Sequence, residues 1–139
     1  EALAREIGGV FCRVDVTSEE QVDAAFAKAR AAHGQERLTV NCAGIATGQK
    51  TVSRKKDTGE IRSHDMASFE RTVRVNLFGT FRVLSQSAAG MVTLEPMADG
   101  ERGLIVNTAA LRERHSASDF DGLDEAMSAS VEWKASPAD

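Results

Sequence analysis

The sequence predicts an α/β fold, a parallel sheet of about three strands with flanking helices. Three observations predict it. Short apolar runs rich in β-branched residues occur at 10–16, 38–42 and 104–107. Between them, apolar residues repeat at helical spacing over 17–34 and again from 65 to 88. The order is therefore strand, helix, strand, helix, strand, and a helical crossover makes successive strands parallel.

Each element has a local cause. Residues 1–7 read as the middle or end of a helix, so the sequence looks cut at its start, and Gly8-Gly9 supplies a stop. The first strand is expected at 10–16. Thr17 is then expected to cap a helix, with Glu20 three residues on completing a capping box. Val22, Ala25, Phe26, Ala29 and Ala32 give that helix an apolar face, and His33-Gly34 ends it. Leu38-Thr39-Val40-Asn41-Cys42 is the second strand, followed by a tight turn at Ala43-Gly44. Residues 46–64 are polar and glycine-punctuated, an exposed loop or hairpin whose Arg54-Lys55-Lys56 cluster reads as a solvated turn. A long helix should start near Asp65 or Ser68, with Phe69, Val73, Leu77, Phe81, Leu84 and Ala88 forming a stripe to pack on the sheet. The third strand is Leu104-Ile105-Val106-Asn107. We place one partial domain at 1–110. Residues 111–139 read as a divergent, weakly structured segment, with at most a weak helix through Ala126, Met127 and Val131 and no strand.

Composition bounds the function. The 139 residues are 42% hydrophobic and 27% charged, with a net charge of −4, which is ordinary globular composition with no nucleic-acid footprint. No apolar run reaches the roughly 20 residues of a spanning helix. Cys12 and Cys42 make neither a metal spacing nor a disulfide framework, so they read as buried free thiols, which favours the reducing cytoplasm.

Four elements, in order, carry a resemblance: Asp15-Val16, Asn41-Cys42-Ala43-Gly44, Val75-Asn76-Leu77-Phe78-Gly79-Thr80-Phe81 and Asn107-Thr108-Ala109. Together they resemble the short-chain dehydrogenase/reductase family, whose motifs include Asn-Asn-Ala-Gly and Val-Asn-x-x-Gly-x-Phe. Asp-Val-Thr-Ser-Glu at 15–19, Asn-Cys-Ala-Gly-Ile-Ala at 41–46 and Asp-Gly-Glu-Arg-Gly at 99–103 are similar to the branch that acts on 3-hydroxyacyl-CoA thioesters and hydroxysteroids. The resemblance covers 1–110; beyond it only Phe120-Asp121-Gly122 and 126–130 loosely echo the family.

The resemblance implies a partial Rossmann-like sheet and an NAD-dependent oxidoreductase, with NADP not excluded and homo-oligomers among its relatives. It implies no metal, nucleic-acid or membrane partner. It also implies that the Asp15 carboxylate accepts from the adenine amino group while the Val16 backbone meets the ring. Asn41, Cys42, Ala43, Gly44 and Thr108 would border the dinucleotide at strand ends. Asn76 would be the relay asparagine at a helix kink. Independently of any ligand, Asp15 also reads as a charge favoured by the helix N-terminus, Gly44 as a plain turn and Asn76 as a satisfied interior amide.

Other expected parts do not occur. The family uses a tyrosine as general acid/base, assisted by a lysine and a serine. The sequence has no tyrosine, Ala110 stands where the serine is expected, and a loose alignment puts Met127 and Val131 at the tyrosine and lysine positions. Lys134 is an unconvincing substitute. A glycine-rich phosphate turn is not present either. These 139 residues are therefore expected to be catalytically incompetent alone, or to be a non-catalytic relative that binds a nucleotide or a protein. In the strand order 3-2-1-4-5-6, strands 10–16 and 38–42 are third and fourth, and are not neighbours. Strand 10–16 must then pair with 38–42 directly, stay unpaired or recruit another chain, and marginal stability follows.

Overall fold

The computed structural model describes residues 1–111 and 127–134. The chain divides into two compact units, one of residues 1–34 and 43–86, the other of 35–42 and 87–139.

In the first unit, helix α1 (Ala2–Glu6) ends before Gly8, whose φ of 69° supplies the left-handed stop. Helix α2 (Glu19–His33) is capped by Ser18, whose hydroxyl accepts from the Gln21 backbone N–H at 3.3 Å. This corrects the expected Thr17–Glu20 box. Thr17 is held by Asp15, so the residue after it is the one left extended before the helix. Of the expected α2 face only Val22 is buried, while Ala29 and Ala32 are exposed. Gly34, with φ 81°, closes the helix as expected.

Residues 10–16 are not a strand, which is a second correction. A strand needs a neighbour's ladder, and among the described residues none is offered to this segment. Side chains satisfy its backbone instead: Lys28 donates to the Phe11 carbonyl, Gln21 accepts from the Asp15 N–H and Arg82 donates to the Val16 carbonyl. It therefore does not pair directly with 38–42, and Val10 and Phe11 are exposed.

Strands β2 (Val52–Arg54) and β3 (Ile61–Ser63) form the expected hairpin as an antiparallel pair. Glu60 pairs there with Lys55 and Arg62, each at 3.0 Å. Helix α3 (Met66–Val73) is capped by Asp65, which accepts from the N–H groups of Ala67 and Ser68. It passes into π-type turns at Arg74–Gly79 and then into helix α4 (Thr80–Met91). The expected apolar stripe is corrected here: Phe69, Leu77 and Phe81 are exposed, and Gly79, Ser87, Gly90 and Met91 are buried instead. One physical reason is phase. Each residue turns an α-helix by about 100°, so wider π-type turns put residues before and after them out of the register that a 3.6 period assumes.

The second unit holds a sheet of order β1-β4-β5, formed by β1 (Leu38–Asn41), β4 (Leu104–Leu111) and β5 (Met127–Lys134). As expected, β1 and β4 are parallel, in a register from Leu38 opposite Leu104 to Asn41 opposite Asn107. β4 runs further than expected, and β5 pairs antiparallel to it from Leu111 opposite Met127 to Leu104 opposite Lys134. Met127 and Val131 thus lie on a strand, contrary to the weak helix expected; Ala126 and 120–122 lie outside the described residues. Propensity decides little when a pairing partner is available, and β4 supplies one. Ile105 and Met91 are fully buried in this unit. A Cβ on Gly103 would lie 2.5 Å from the Met91 sulfur and 2.9 Å from the Arg37 carbonyl oxygen, so only glycine allows that approach. Ser87, also fully buried, shares a 2.5 Å hydrogen bond with the Thr39 hydroxyl.

Candidate functional site

The first unit brings Asp15, Val16, Ala43 and Gly44 to the wall of one groove of about 730 Å³, together with Arg13, Gln21 and Arg71. That volume is in the range of small-ligand clefts, about 300–1,000 Å³. Asp15 is held rigidly in it. Its Oδ1 accepts from the Thr17 N–H at 2.9 Å and the Thr17 hydroxyl at 2.8 Å. Its own N–H donates to the Gln21 side-chain oxygen at 2.9 Å, and its carbonyl accepts from the Ser18 N–H at 2.9 Å. The Thr17 backbone N–H, then its hydroxyl, hold the carboxyl below its ordinary pKa against a desolvation that raises it, and the Arg71 charge adds to the lowering. Asp15 is therefore an anion at neutral pH, and Oδ2 takes no hydrogen bond from the described residues.

Val16 is fixed from two sides. Arg82 donates to its carbonyl at 2.7 Å, and its side chain fills the space that a Cβ on Gly79 would need, 2.5 Å from Cγ2. Gly44 has no positive φ, and a Cβ there would meet only Asn76 Oδ1, at an ordinary 3.6 Å. Neither backbone conformation nor protein packing requires this glycine.

Asn76 sits in the π-type segment Arg74–Gly79. It is exposed rather than interior, and both ends of its amide are engaged: the oxygen accepts from the Ile45 N–H at 2.9 Å and the nitrogen donates to the Ile45 carbonyl at 2.8 Å. This two-way clasp fixes the chain just after Gly44.

The second unit treats its share differently. Asn41 is buried and donates through Nδ2 to Asn107 Oδ1 at 2.7 Å, across the parallel pair. The Thr108 hydroxyl donates to the Asn41 carbonyl at 2.9 Å. Both groups tie strand ends to each other. Cys42, expected as a buried thiol, is exposed because it follows the last residue of β1; Cys12 is half-buried, and both thiols are free.

The sequence reading missed Thr17, Gln21 and Arg82. Asp-x-Thr is a common local hydrogen-bonding pattern, and a lone arginine between Phe81 and Val83 in an apolar helix is a signal of its own. Among the described residues no group of three or more His, Cys, Asp or Glu could hold a metal, and no helix is long and apolar enough to cross a membrane.

A family model described as short chain dehydrogenase matches residues 1–118. The chain is 44% identical over 122 residues to a 3-hydroxyacyl-CoA dehydrogenase type-2 of Drosophila melanogaster, covering 86% of this chain and 44% of that protein. Against the Homo sapiens protein of the same name it is 42% identical over 113 residues, covering 80% and 42%. The crystal structure of 3-hydroxyacyl-CoA dehydrogenase type-2 from Mycobacterium avium matches with a TM-score of 0.60 and 34% identity, over 78% of this chain and 41% of that one. The chain thus spans less than half the length of these relatives.

Proposed function

The chain belongs to the short-chain dehydrogenase family, and on that premise we propose that its residues form part of the cofactor pocket of an NAD-linked oxidoreductase. The substrate class we propose is a secondary alcohol and its ketone, carried as a 3-hydroxyacyl-CoA thioester or a hydroxysteroid. One observation carries the reading. The pair Asp15-Val16 and the pair Ala43-Gly44, far apart in sequence, line the same groove.

The residues fit the adenine end of a dinucleotide. Asp15 presents an ionised carboxylate with Oδ2 open to an amino donor, and the Val16 backbone beside it is held still. Gly44 carries a hydrogen where neither strain nor protein packing asks for one, which suits close approach of a ligand. Asn41 and Thr108 support rather than touch: their hydrogen bonds fix the strand ends from which Cys42 and Ala43 emerge. Bound NAD would supply the hydride acceptor for the alcohol carbon. The adenine contacts do not distinguish NAD from NADP, which differ at the ribose 2′ position.

Proton handling is the gap. No tyrosine occurs in the sequence, Ala110 brings no hydroxyl, and Met127 and Val131 bring neither a proton donor nor a charge. Asn76 organises the loop through its two hydrogen bonds to Ile45, and an amide is itself no general acid or base. We therefore expect these 139 residues to bind nucleotide without turnover. The second reading, a non-catalytic nucleotide- or protein-binding relative, rests on the same missing hydroxyls. Two free thiols fit a reducing compartment, which we propose as the cytoplasm.

Titration with NADH, followed by its fluorescence, tests the pocket. A saturable change, weakened in Asp15→Asn, is the expected result; no change at millimolar cofactor would sink it. Mixing the chain with acetoacetyl-CoA and NADH should leave NADH unoxidised. Steady oxidation would place a proton donor among residues we have not assigned.

A further inference from the structure

The peptide group joining Val16 to Thr17 is held at both ends. Its carbonyl accepts from Arg82 Nη1 at 2.7 Å, and its N–H donates to Asp15 Oδ1 at 2.9 Å. A peptide is planar and rigid, so fixing its carbonyl fixes the direction of its N–H. A guanidinium on the carbonyl also polarises the amide, and linked hydrogen bonds of this kind strengthen one another. We infer that Arg82 is a positioning residue for Asp15: through this one peptide plane it aims the carboxylate and leaves Oδ2 directed to an adenine nucleotide in the groove. The inference deepens the nucleotide reading above and rests on it.

Three features make Arg82 more than a helix surface residue. It is half-buried, in a helix whose neighbours Phe81 and Val83 are apolar. It reaches across 66 residues of sequence to a backbone carbonyl that has no strand partner among the described residues. The second restraint on the same residue comes from the same helical stretch: Gly79, three residues earlier, gives the Val16 side chain a space that any Cβ would close. Among the described residues no ladder holds the segment 10–16, and side chains set its geometry.

Arginine is suited to this task. Its guanidinium is always charged and directional, and a charge-assisted bond to a carbonyl is stronger than a neutral one. Lysine retains the charge without the planar fork.

The test uses the full chain, amide hydrogen exchange by NMR, and AMP as the adenine probe. Arg82→Met should speed exchange at the Thr17 amide by about tenfold, the loss expected for a charge-assisted hydrogen bond. Arg82→Lys should recover most of the protection. The Val22 amide, bonded within α2 to the Ser18 carbonyl, should not change, which separates loss of positioning from unfolding. AMP should bind more weakly to Arg82→Met and to Asp15→Asn, and the double variant should be no weaker than Asp15→Asn alone. Thr17 protection unchanged in Arg82→Met, with Val22 intact, overturns the inference even if AMP binds. Conversely, Thr17 protection lost with no AMP binding by the wild-type chain overturns the nucleotide reading while the peptide clamp stands. Additive losses in the double variant would show Arg82 acting on AMP directly, and would also overturn positioning through Asp15.

Discussion

Replacing Asn76 tests the loop geometry most directly. Its amide both accepts from and donates to Ile45, at 2.9 and 2.8 Å. A hydrogen bond of this kind contributes about 0.5–1.5 kcal/mol net, and an exposed one belongs in the lower half of that range, up to about 1 kcal/mol. Asn76→Ala loses two, so the 43–45 loop should be weakened by about 1–2 kcal/mol. The Ile45 amide loses one bond of about 1 kcal/mol and should exchange about fivefold faster. Asn76→Asp separates the two bonds. It keeps an acceptor for the Ile45 N–H but sets a carboxylate oxygen against the Ile45 carbonyl. Ile45 should then stay protected while the loop as a whole becomes less stable. Exchange at single amides, read by NMR, distinguishes these outcomes. If Ile45 exchanges within about twofold of wild type in Asn76→Ala, or if Asn76→Asp is as fast as Asn76→Ala, the clasp does not exist in solution.

Further tests follow from other residues. Gly103→Ala would force a Cβ against the Arg37 backbone and Met91, and should cost about 1–3 kcal/mol in a denaturant titration. The three atoms nearest a Cβ on Gly90 are all at the end of the flexible Gln35 side chain rather than backbone, so Gly90→Ala should cost clearly less. Ser18→Ala removes the α2 cap and should cost about 1 kcal/mol, seen as lost helical circular dichroism on mild heating. Because Asp15 titrates below its ordinary value when folded, its stabilising effect is complete above the unfolded-state value and is lost as pH falls through the depressed one. Thr17→Val removes the hydroxyl but keeps the backbone donor, so an NMR titration should find the Asp15 midpoint raised part of the way back.

Local chemistry was legible in the sequence wherever one residue type dictates it. Gly8 and Gly34 end helices because few other residues accept their positive φ, and polar, glycine-punctuated 46–64 makes a hairpin. The parallel pairing of 38–41 with 104–107 followed from element order. What failed depended on partners. Apolar periodicity tells which residues share a face but not what covers it, so Phe69 and Phe81 were assigned to a core they do not enter. The run 10–16 has strand composition without a strand beside it among the described residues, and Met127 to Lys134 has weak propensity with β4 beside it. In the site, Asp15, Val16, Ala43 and Gly44 came from motif wording and do share a groove. Arg82 stands out as a lone charge between apolar neighbours, but its target and that of Gln21 were not legible, being backbone atoms distant in the chain or outside the helix.

The π-type turns at Arg74–Gly79 also make chain length a variable here. Asn76 reaches Ile45, Gly79 receives Val16, and Arg82 finds the Val16 carbonyl, all from one continuous helical stretch. A π-type turn already uses one residue more than an α-helical turn over about the same rotation. A further residue inserted between Asn76 and Gly79 would turn everything after it by about 100° relative to what precedes it. The clasp on Ile45 and the seat for Val16 could then not both be kept. An in-frame gain of one codon at this point would do more harm than most substitutions, though every side chain named here would remain.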